Sequence, residues 1–147
     1  MAKVLTFVVP GVPTPKGRPR MTRRGRVYTP AKTVEYERTV SISAQEAKSR
    51  LCSGMLFDGP VMVTIHCHFA MPPSWSRKRK TEMLHQPHAQ LPDLDNLVKA
   101  VLDGMNHTHH IWTDDKQVAA VTAAKHWAQE SSVLVRIENM EKGSKNE

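Results

Sequence analysis

The sequence predicts an α+β fold: one small domain with a mixed sheet of about four or five strands and two main helices. Residues 61–70 alternate between apolar and more polar side chains, as in a strand. Residues 36–51 and 94–105 carry apolar side chains at helical spacing. A chain of 147 residues is most simply one domain with its own core. We place that domain at residues 1–138 and expect the polar residues 139–147 to form a frayed tail.

The first half of the sequence predicts a strand, a long loop and a helix. Residues 4–9 predict the strand, and prolines and glycines then interrupt the chain so often that only a short hairpin limb at 26–28 is expected. Thr29 and Pro30 predict a helix start with proline at the first helical position. The helix is expected to reach Gly54 on the apolar positions Tyr36, Val40, Ala44, Ala47 and Leu51.

The second half predicts three strands and the second main helix. The alternation at 61–70 ends at two prolines, and the polar stretch 74–92 is expected to be a loop with room for one short helix. Two late stretches, 117–125 and 132–138, predict the last strands. Between the loop and these strands, helical spacing joins Leu94, Leu97, Val98, Val101, Leu102 and Met105.

The composition predicts a cytoplasmic protein with a polyanionic partner. Lys and Arg total 21 against 14 Asp and Glu, which gives a formal net charge of +7. Cys52 and Cys67 lack the spacing of a zinc or redox motif, so we expect free thiols in a reducing compartment. Pro10 and Gly11 break the apolar N-terminal stretch before it reaches signal-peptide length, and nothing approaches the roughly 20 apolar residues of a membrane span.

Ten of the cations lie in two short segments that predict contact with the phosphate groups of a polyanionic partner. Glycine and proline spacing in the first segment favours a loop draped over the phosphate backbone, where arginine binds bidentately. For the second segment, a solvated surface loop is an equal alternative. The first segment holds Lys16, Arg18, Arg20, Arg23, Arg24 and Arg26, and the second holds Arg77, Lys78, Arg79 and Lys80.

Against this basic background, a stretch late in the chain concentrates aspartates. Asp95 is expected to cap the second helix, with Lys99 four residues later on the same polar face. The turn into the helix brings Asp93 beside it, and Asp114 or Asp115 supplies a third carboxylate if the next strand runs beside the helix start. Clustered carboxylates repel one another unless a cation lies among them, and oxygen ligands favour Mg²⁺ or Mn²⁺ over zinc.

Each of these features also has an ordinary structural explanation. An aspartate before an apolar run is a common helix cap, Asp95 with Lys99 is a common surface ion pair, and Asp-Asp before a strand is a common turn. Besides a metal-dependent cut in a polyanion, two functions therefore remain alternatives: a non-catalytic branched-DNA-binding protein, and a Mg²⁺-dependent hydrolase of small phosphate esters. The second alternative leaves the clustered cations without a purpose.

The combined pattern resembles the RusA-type crossover-junction (Holliday junction) endodeoxyribonucleases. The resemblance rests on "PDLDNLVKAVLD" and "WTDDKQV", together with the opening "PTPKGRPRMTRRGRVYTPAKTVEYE", and covers most of residues 4–138. It implies a RusA-like fold. The sequence differs from the family pattern at Leu91, where members often carry a basic residue, and at 104–113, which is one residue longer and lacks a late glycine.

The resemblance also implies the site, the cofactor and the partners. Asp93, Asp95 and Asp115 match catalytic, metal-binding aspartates, and Lys99 matches a catalytic lysine, while the longer segment leaves Asp114 as a possible third ligand. The implied metal is Mg²⁺, with Mn²⁺ as a substitute, and no nucleotide cofactor is expected. The implied enzyme is a homodimer that cuts two equivalent strands of a four-way DNA junction in recombination and repair.

Overall fold

The computed structural model describes residues 3–51, 54–108 and 111–140, and it confirms the α+β fold. The strands of the main sheet are β1 (Val4–Pro10), β4 (Val61–Ala70), β5 (Val118–Ala128) and β6 (Ser132–Asn139). Two short strands, β2 (Arg20–Met21) and β3 (Val27–Tyr28), pair as the small hairpin expected in the long loop. The helices are α1 (Ala31–Ser49), α2 (Arg77–Met83) and α3 (Leu94–Asn106), and a short 3₁₀ turn spans Asp115–Gln117.

The main sheet is mixed, with the strand order β1-β6-β4-β5. β4 pairs antiparallel with β6 and parallel with β5, while β1 pairs antiparallel with β6. Along β4 the alternation confirms the sequence prediction, because every second side chain from Val61 to Phe69 is buried. The sheet therefore buries one face and leaves the other partly open, where Val8 is 55% exposed.

Helices α1 and α3 cover the buried face of the sheet and pack against each other. α1 contributes Tyr36, Val40 and Ala44 to the core, and α3 contributes Leu97, Val101 and Met105. At the crossing, a Cβ on Gly104 would lie only 2.7 Å from the Cβ of Val40. The missing side chain lets the two helix backbones approach closely.

The start and end of α1 differ from the sequence prediction. Pro30 is the N-cap, with an extended ψ of 142°, so the first helical residue is Ala31 and not the proline. The helix ends at Ser49, and Leu51, expected to extend the buried stripe, is 55% exposed. Apolar spacing alone does not set this end, because most of the stability of a helix in a protein comes from tertiary packing.

The start of α3 also differs from the prediction. Asp93, and not Asp95, is the N-cap residue, so Asp95 lies inside the first turn, where the helix dipole favours a negative charge. α3 runs antiparallel to β5: Lys125, late in β5, donates to the carbonyl oxygen of Pro92 at 2.8 Å, while the residues before β5 lie at the other end of the helix. This direction decides which aspartates can meet.

In the described part of the chain, no helix is long and apolar enough to cross a membrane. Cys67 is a buried free thiol, and burial raises its pKa to about 11. Cys52 lies outside the described residues, and so do residues 141–147 of the predicted tail 139–147. The first two residues of that stretch are described: Asn139 is the last residue of β6, and the N–H of Met140 donates to the carbonyl of Pro60 at 2.9 Å.

Candidate functional site

One exposed face of α3 carries a line of polar side chains that points away from the core. Asp95, Lys99, Asp103 and Asn106 follow one another at intervals of four, four and three residues, which places them on a single helix face. The opposite face of α3 is buried against α1 and the sheet. The amphipathic pattern that anchors the helix therefore also presents this polar line to the outside.

The two aspartates at the start of α3 have uncommitted oxygens. Asp93 stands at the N-cap, yet its side chain makes no capping hydrogen bond. Within the described residues, neither Asp93 nor Asp95 forms an ion pair with a cation inside 4.0 Å. Both are exposed, and carboxylate oxygens are the ligands that Mg²⁺ prefers. The donor chemistry at this end thus fits a divalent cation, although two carboxylates are fewer than the predicted three.

Lys99 lies beside a different aspartate from the one expected. Its ammonium is 3.6 Å from the carboxylate of Asp103, one turn further along the helix, and not paired with Asp95. The Lys99 side chain is 62% exposed, so it remains accessible to a ligand. The lysine therefore adds a positive charge to the middle of the α3 polar face.

Lys16 is held between two acids from different helices. Its ammonium contacts Glu37 of α1 and lies 3.0 Å from Asp103 of α3. Burial opposes the charge on Lys16, but the hydrogen bonds to Glu37 and Asp103 raise its pKa above the usual value. Its backbone N–H also donates to the carbonyl of Asn96 at 2.9 Å. Lys16, predicted as a DNA contact, thus ties the proline-rich loop to the two helices.

The acid pair before β5 occupies a tightly held turn. Asp114 caps the 3₁₀ turn by accepting from the N–H of Lys116 at 3.2 Å. Gln117 completes the capping box and donates to the carbonyls of Phe57 and Gly59 at 3.1 and 2.9 Å. These bonds fix the position of Asp115, which is partly buried beside Asp114.

The electrostatics of this pair indicate an excess of negative charge. The adjacent Asp114 carboxyl and partial burial raise the pKa of Asp115, and the charge of Asp103 adds to the effect, while the Asn106 amide opposes it. The hydrogen bond with Asp115 and the N–H of Lys116 lower the pKa of Asp114. A cation bound here would relieve the repulsion that raises the pKa of Asp115.

The chain does not bring the predicted three carboxylates together. Asp93 and Asp95 lie at the start of α3, whereas Asp115 lies near Asn106 at its end. At 1.5 Å per residue, these two ends are about 16 Å apart along the helix axis. Across the three described ranges, no group of three or more His, Cys, Asp or Glu side chains is arranged to hold a metal ion. A site within one chain would require the residues before β5 to lie at the start of α3. Because β5 runs antiparallel to α3, these residues lie at the end of the helix instead.

The first basic segment lies along the proline-rich loop that Lys16 ties to α3. Apart from Lys16, its cations are exposed and have no acidic partner within 4.0 Å in the described part of the chain. These cations, Arg18, Arg20, Arg23, Arg24 and Arg26, remain available for phosphate groups.

The second basic segment forms the short helix α2. Arg79 stacks over the ring of Trp75, with its guanidinium carbon 4.0 Å from the ring centre, and Trp75 packs against the buried Trp127. Arg77, Lys78 and Lys80 are the other cations of the helix. Trp112 is buried, and its ring N–H donates to Asn106 at 2.9 Å, so it is a core residue.

Comparison with known proteins supplies the family. The family model described as endodeoxyribonuclease RusA matches residues 10–138. The chain belongs to the RusA endodeoxyribonuclease family. It is also 34% identical over 141 residues to the uncharacterized protein YqaN of Bacillus subtilis (strain 168), a match that covers 90% of this chain and 94% of that protein. Family membership makes the chain a DNA nuclease, and the matched range contains both the aspartates and the two basic segments.

Sequence reasoning missed the contacts of three residues that organise this site. Glu37 and Asp103 hold Lys16 across the α1–α3 contact, and Lys125 anchors the turn before α3. A local signal existed for Asp103 alone, since it lies four residues after Lys99. Glu37 and Lys125 are distant in sequence from their partners, so no spacing rule finds them.

Proposed function

We propose that this RusA-family nuclease resolves four-way DNA junctions by paired, Mg²⁺-dependent phosphodiester hydrolysis in recombination and repair. The observation that carries the proposal is the pair of uncommitted carboxylates, Asp93 and Asp95, at the start of an exposed polar helix face. Beside it lies a loop of exposed arginines that have no acidic partner within 4.0 Å among the described residues. An acidic, oxygen-rich site next to a basic surface suits a metal-dependent cut in a polyanion.

In this proposal Asp93, Asp95 and Asp115 hold the metal, and Mn²⁺ substitutes for Mg²⁺. When bound, the ion lowers the pKa of a water and polarises a phosphoryl oxygen. Lys99 is a compact, accessible cation on the same helix face, so it stabilises negative charge that develops on the phosphate or on the leaving oxygen. Asp103 orients the lysine through its ion pair. The exposed arginines position the DNA backbone without reading its sequence.

We further propose that a homodimer completes the metal site. The single chain separates Asp95 from Asp115 by the length of α3, so one ion cannot contact both within it. A two-fold dimer brings the start of α3 in one copy near the end of α3 in the other if the two helices lie antiparallel and their polar faces line one open groove. Such a dimer forms two equivalent sites, which matches the two strands that must be cut in a junction.

A mixed-subunit experiment tests this arrangement. Asp95→Asn and Asp115→Asn proteins are expected to be inactive alone, because each disrupts both sites of its own dimer. In a mixed dimer of the two variants, both substitutions fall in one shared site and leave the other intact. Mixing should therefore restore single-strand nicking of the junction but not the paired cut. If each chain held its own complete site, the mixture would remain inactive.

The two alternative functions are separated by binding and cleavage measured together. Asp95→Asn should abolish cleavage while junction binding stays the same or tightens, because a negative charge facing phosphate is removed. Asp58→Asn, a change at another exposed aspartate, is the control and should cleave like the wild type. Junction binding by the wild type without any metal-dependent cut would support the non-catalytic alternative. Hydrolysis of small phosphate esters without cleavage of DNA would support the other.

A further inference from the structure

A large groove opens next to the aspartates at the start of α3. It lies between the proline-rich loop, the beginning of α1 and the turn that ends at Pro92, the residue before Asp93. Its volume of about 900 Å³ is within the range of small-ligand sites. Its apolar lining comes mainly from Val12, Pro13, Pro19, Pro30, Phe69 and Leu91.

Two large apolar side chains of this lining are unusually exposed. Leu91 is 81% exposed and Val12 is 63% exposed. Single exposed apolar residues are ordinary, but these two line the same groove, and apolar surface collected in a concave site is typical of a ligand-binding region.

The walls of the groove are held in place by specific hydrogen bonds. Lys125 donates to the carbonyls of Gln90 and Pro92 at 2.6 and 2.8 Å, so the backbone on both sides of Leu91 is anchored. On the loop side, the N–H of Gly17 donates to the hydroxyl of Thr33 at 2.9 Å. A Cβ on Gly17 would lie 2.7 Å from that hydroxyl oxygen. These hydrogen bonds therefore fix the walls of the groove and keep the Leu91 side chain exposed to solvent.

The lining also includes cations that indicate the charge of the ligand. Arg18, Arg20 and Lys32 contribute to the groove, are exposed, and have no acidic partner within 4.0 Å among the described residues. An apolar floor with unpaired cations complements a molecule that has a flat apolar body and an attached anion. A nucleotide of a DNA strand has both parts, because its base stacks on apolar surface and its phosphate pairs with arginine or lysine.

We propose that this groove receives one unstacked nucleobase of the DNA strand, next to the phosphate that is cut. Leu91 then packs against the neighbouring bases between which that nucleobase was stacked. This inference rests on the proposed action on branched DNA. Leu91 is two residues from Asp93, so a base held in the groove fixes the adjacent backbone at the start of α3. Apolar side chains of this size act as wedges between base steps in other DNA-bending proteins. A base that is already poorly stacked, as at a junction centre, leaves the helix most readily.

The experiment uses the cleavage-deficient Asp95→Asn protein bound to four-way junctions that carry 2-aminopurine at single positions around the centre. The fluorescence of 2-aminopurine increases when the base leaves the stack. We expect an increase of about twofold or more at one position on binding. Adding Leu91→Ala or Val12→Ser should remove at least half of that increase. Both side chains are exposed, so these variants should fold normally. Leu51→Ala, which truncates an exposed leucine after α1, is the matched control and should keep the full increase.

Fluorescence anisotropy of the same complexes separates the two possible failures. If the junction binds but no position responds, or if the response survives both groove substitutions, the base-binding role is overturned and the proposed function stands. If the Asp95→Asn protein binds four-way junctions no better than linear duplex, the proposed function and the groove inference both fail.

Discussion

Lys99 is the residue at which a structural and a catalytic role differ most in their consequences. As an exposed i, i+4 partner of Asp103, it contributes only about 0.3–0.5 kcal/mol to the stability of the helix. Lys99→Ala should therefore barely change the melting temperature. As a cation that stabilises the transition state, it should matter much more for the rate, and we expect single-turnover junction cleavage to slow at least about tenfold.

The matched control for Lys99 is Arg50→Ala, which removes an exposed cation at the end of α1 and should cleave at the wild-type rate. Lys99→Arg should restore activity poorly, because a planar guanidinium does not reproduce a compact ammonium. An unchanged single-turnover rate for Lys99→Ala would contradict the catalytic role and would mean that Lys99 is only a surface charge.

The positions of candidate site residues in the fold were predictable where the signal is local in sequence. Asp93, Asp95 and Lys99 form a compact motif, and the structure places all three at the exposed start and middle of α3. The capping residue was assigned two positions too late, because an aspartate at either position precedes the same apolar run. The partner of Lys16 was not predictable, since Glu37 and Asp103 reach it through tertiary packing.

At the scale of elements, the α1–α3 contact depends on the small size of Gly104. Alanine in a helix is ordinarily more favourable than glycine by up to about 1 kcal/mol. Here the added Cβ would lie 2.7 Å from the Cβ of Val40 and 3.0 Å from the backbone oxygen of Glu37, which cannot move without shifting α1. Gly104→Ala should therefore destabilise the fold by about 1–3 kcal/mol and lower the melting temperature.

Gly59→Ala is the control for that substitution, because nothing lies within 4 Å of the Cβ that it adds. Thermal unfolding of the two variants side by side makes the comparison. A Gly104→Ala protein as stable as Gly59→Ala would mean that the helices separate at little cost, and the close approach would lose its structural importance.

A second element-scale prediction concerns His88, which packs between Phe69 and Trp127 with ring centres 4.2 and 4.3 Å away. Burial and the nearby charge of Lys125 lower the pKa of His88 below its usual value of 6.5. The folded state therefore binds this proton more weakly than the unfolded state does. The resulting stability is complete above the unfolded pKa and is lost as the pH falls from about 6.5 through the folded pKa.

The measurement is the change in melting temperature between pH 7 and about pH 5 for the wild type and for His88→Phe. Phenylalanine retains ring packing and cannot be protonated, so the variant should lose less stability over this interval. Burial and the charges of His66, His126 and His85 also lower the pKa of His68. Because His68 is present in both proteins, it contributes equally to both losses of stability. Equal losses in the two proteins would contradict the assignment to His88.

The periodicity of single elements predicted the fold well, but their relative directions were not predictable. β4 and α3 each bury one side, and this burial appears in the sequence as a regular spacing of apolar residues. The antiparallel direction of α3 and β5 depends on the path of the segment that connects them. The periodicity within each element does not predict that path. For this reason the third carboxylate was expected near Asp95, whereas the structure places Asp115 at the other end of the helix.

At the scale of the whole molecule, metal binding should couple to stability. Millimolar Mg²⁺ or Mn²⁺ should raise the melting temperature, because a ligand that binds only the folded state stabilises it by about 2.7 kcal/mol at 100 times its dissociation constant. The shift should be smaller for Asp95→Asn, and Asp58→Asn should behave like the wild type. If the site is shared in a dimer, the shift should also grow with protein concentration. An equal shift in the wild type and Asp95→Asn would place the bound ion elsewhere.

The most direct test of the proposed activity is a cleavage assay with the wild-type chain on a synthetic four-way junction and on a linear duplex of matched sequence, with and without Mg²⁺. The exposed arginines should allow binding to both substrates, whereas the proposed dimeric, aspartate-based site should cut only the junction, only with the metal, and at paired positions on two strands. Equal cutting of the linear duplex would contradict junction specificity. An uncut junction in the presence of Mg²⁺ or Mn²⁺ would contradict the proposed metal-dependent resolution itself.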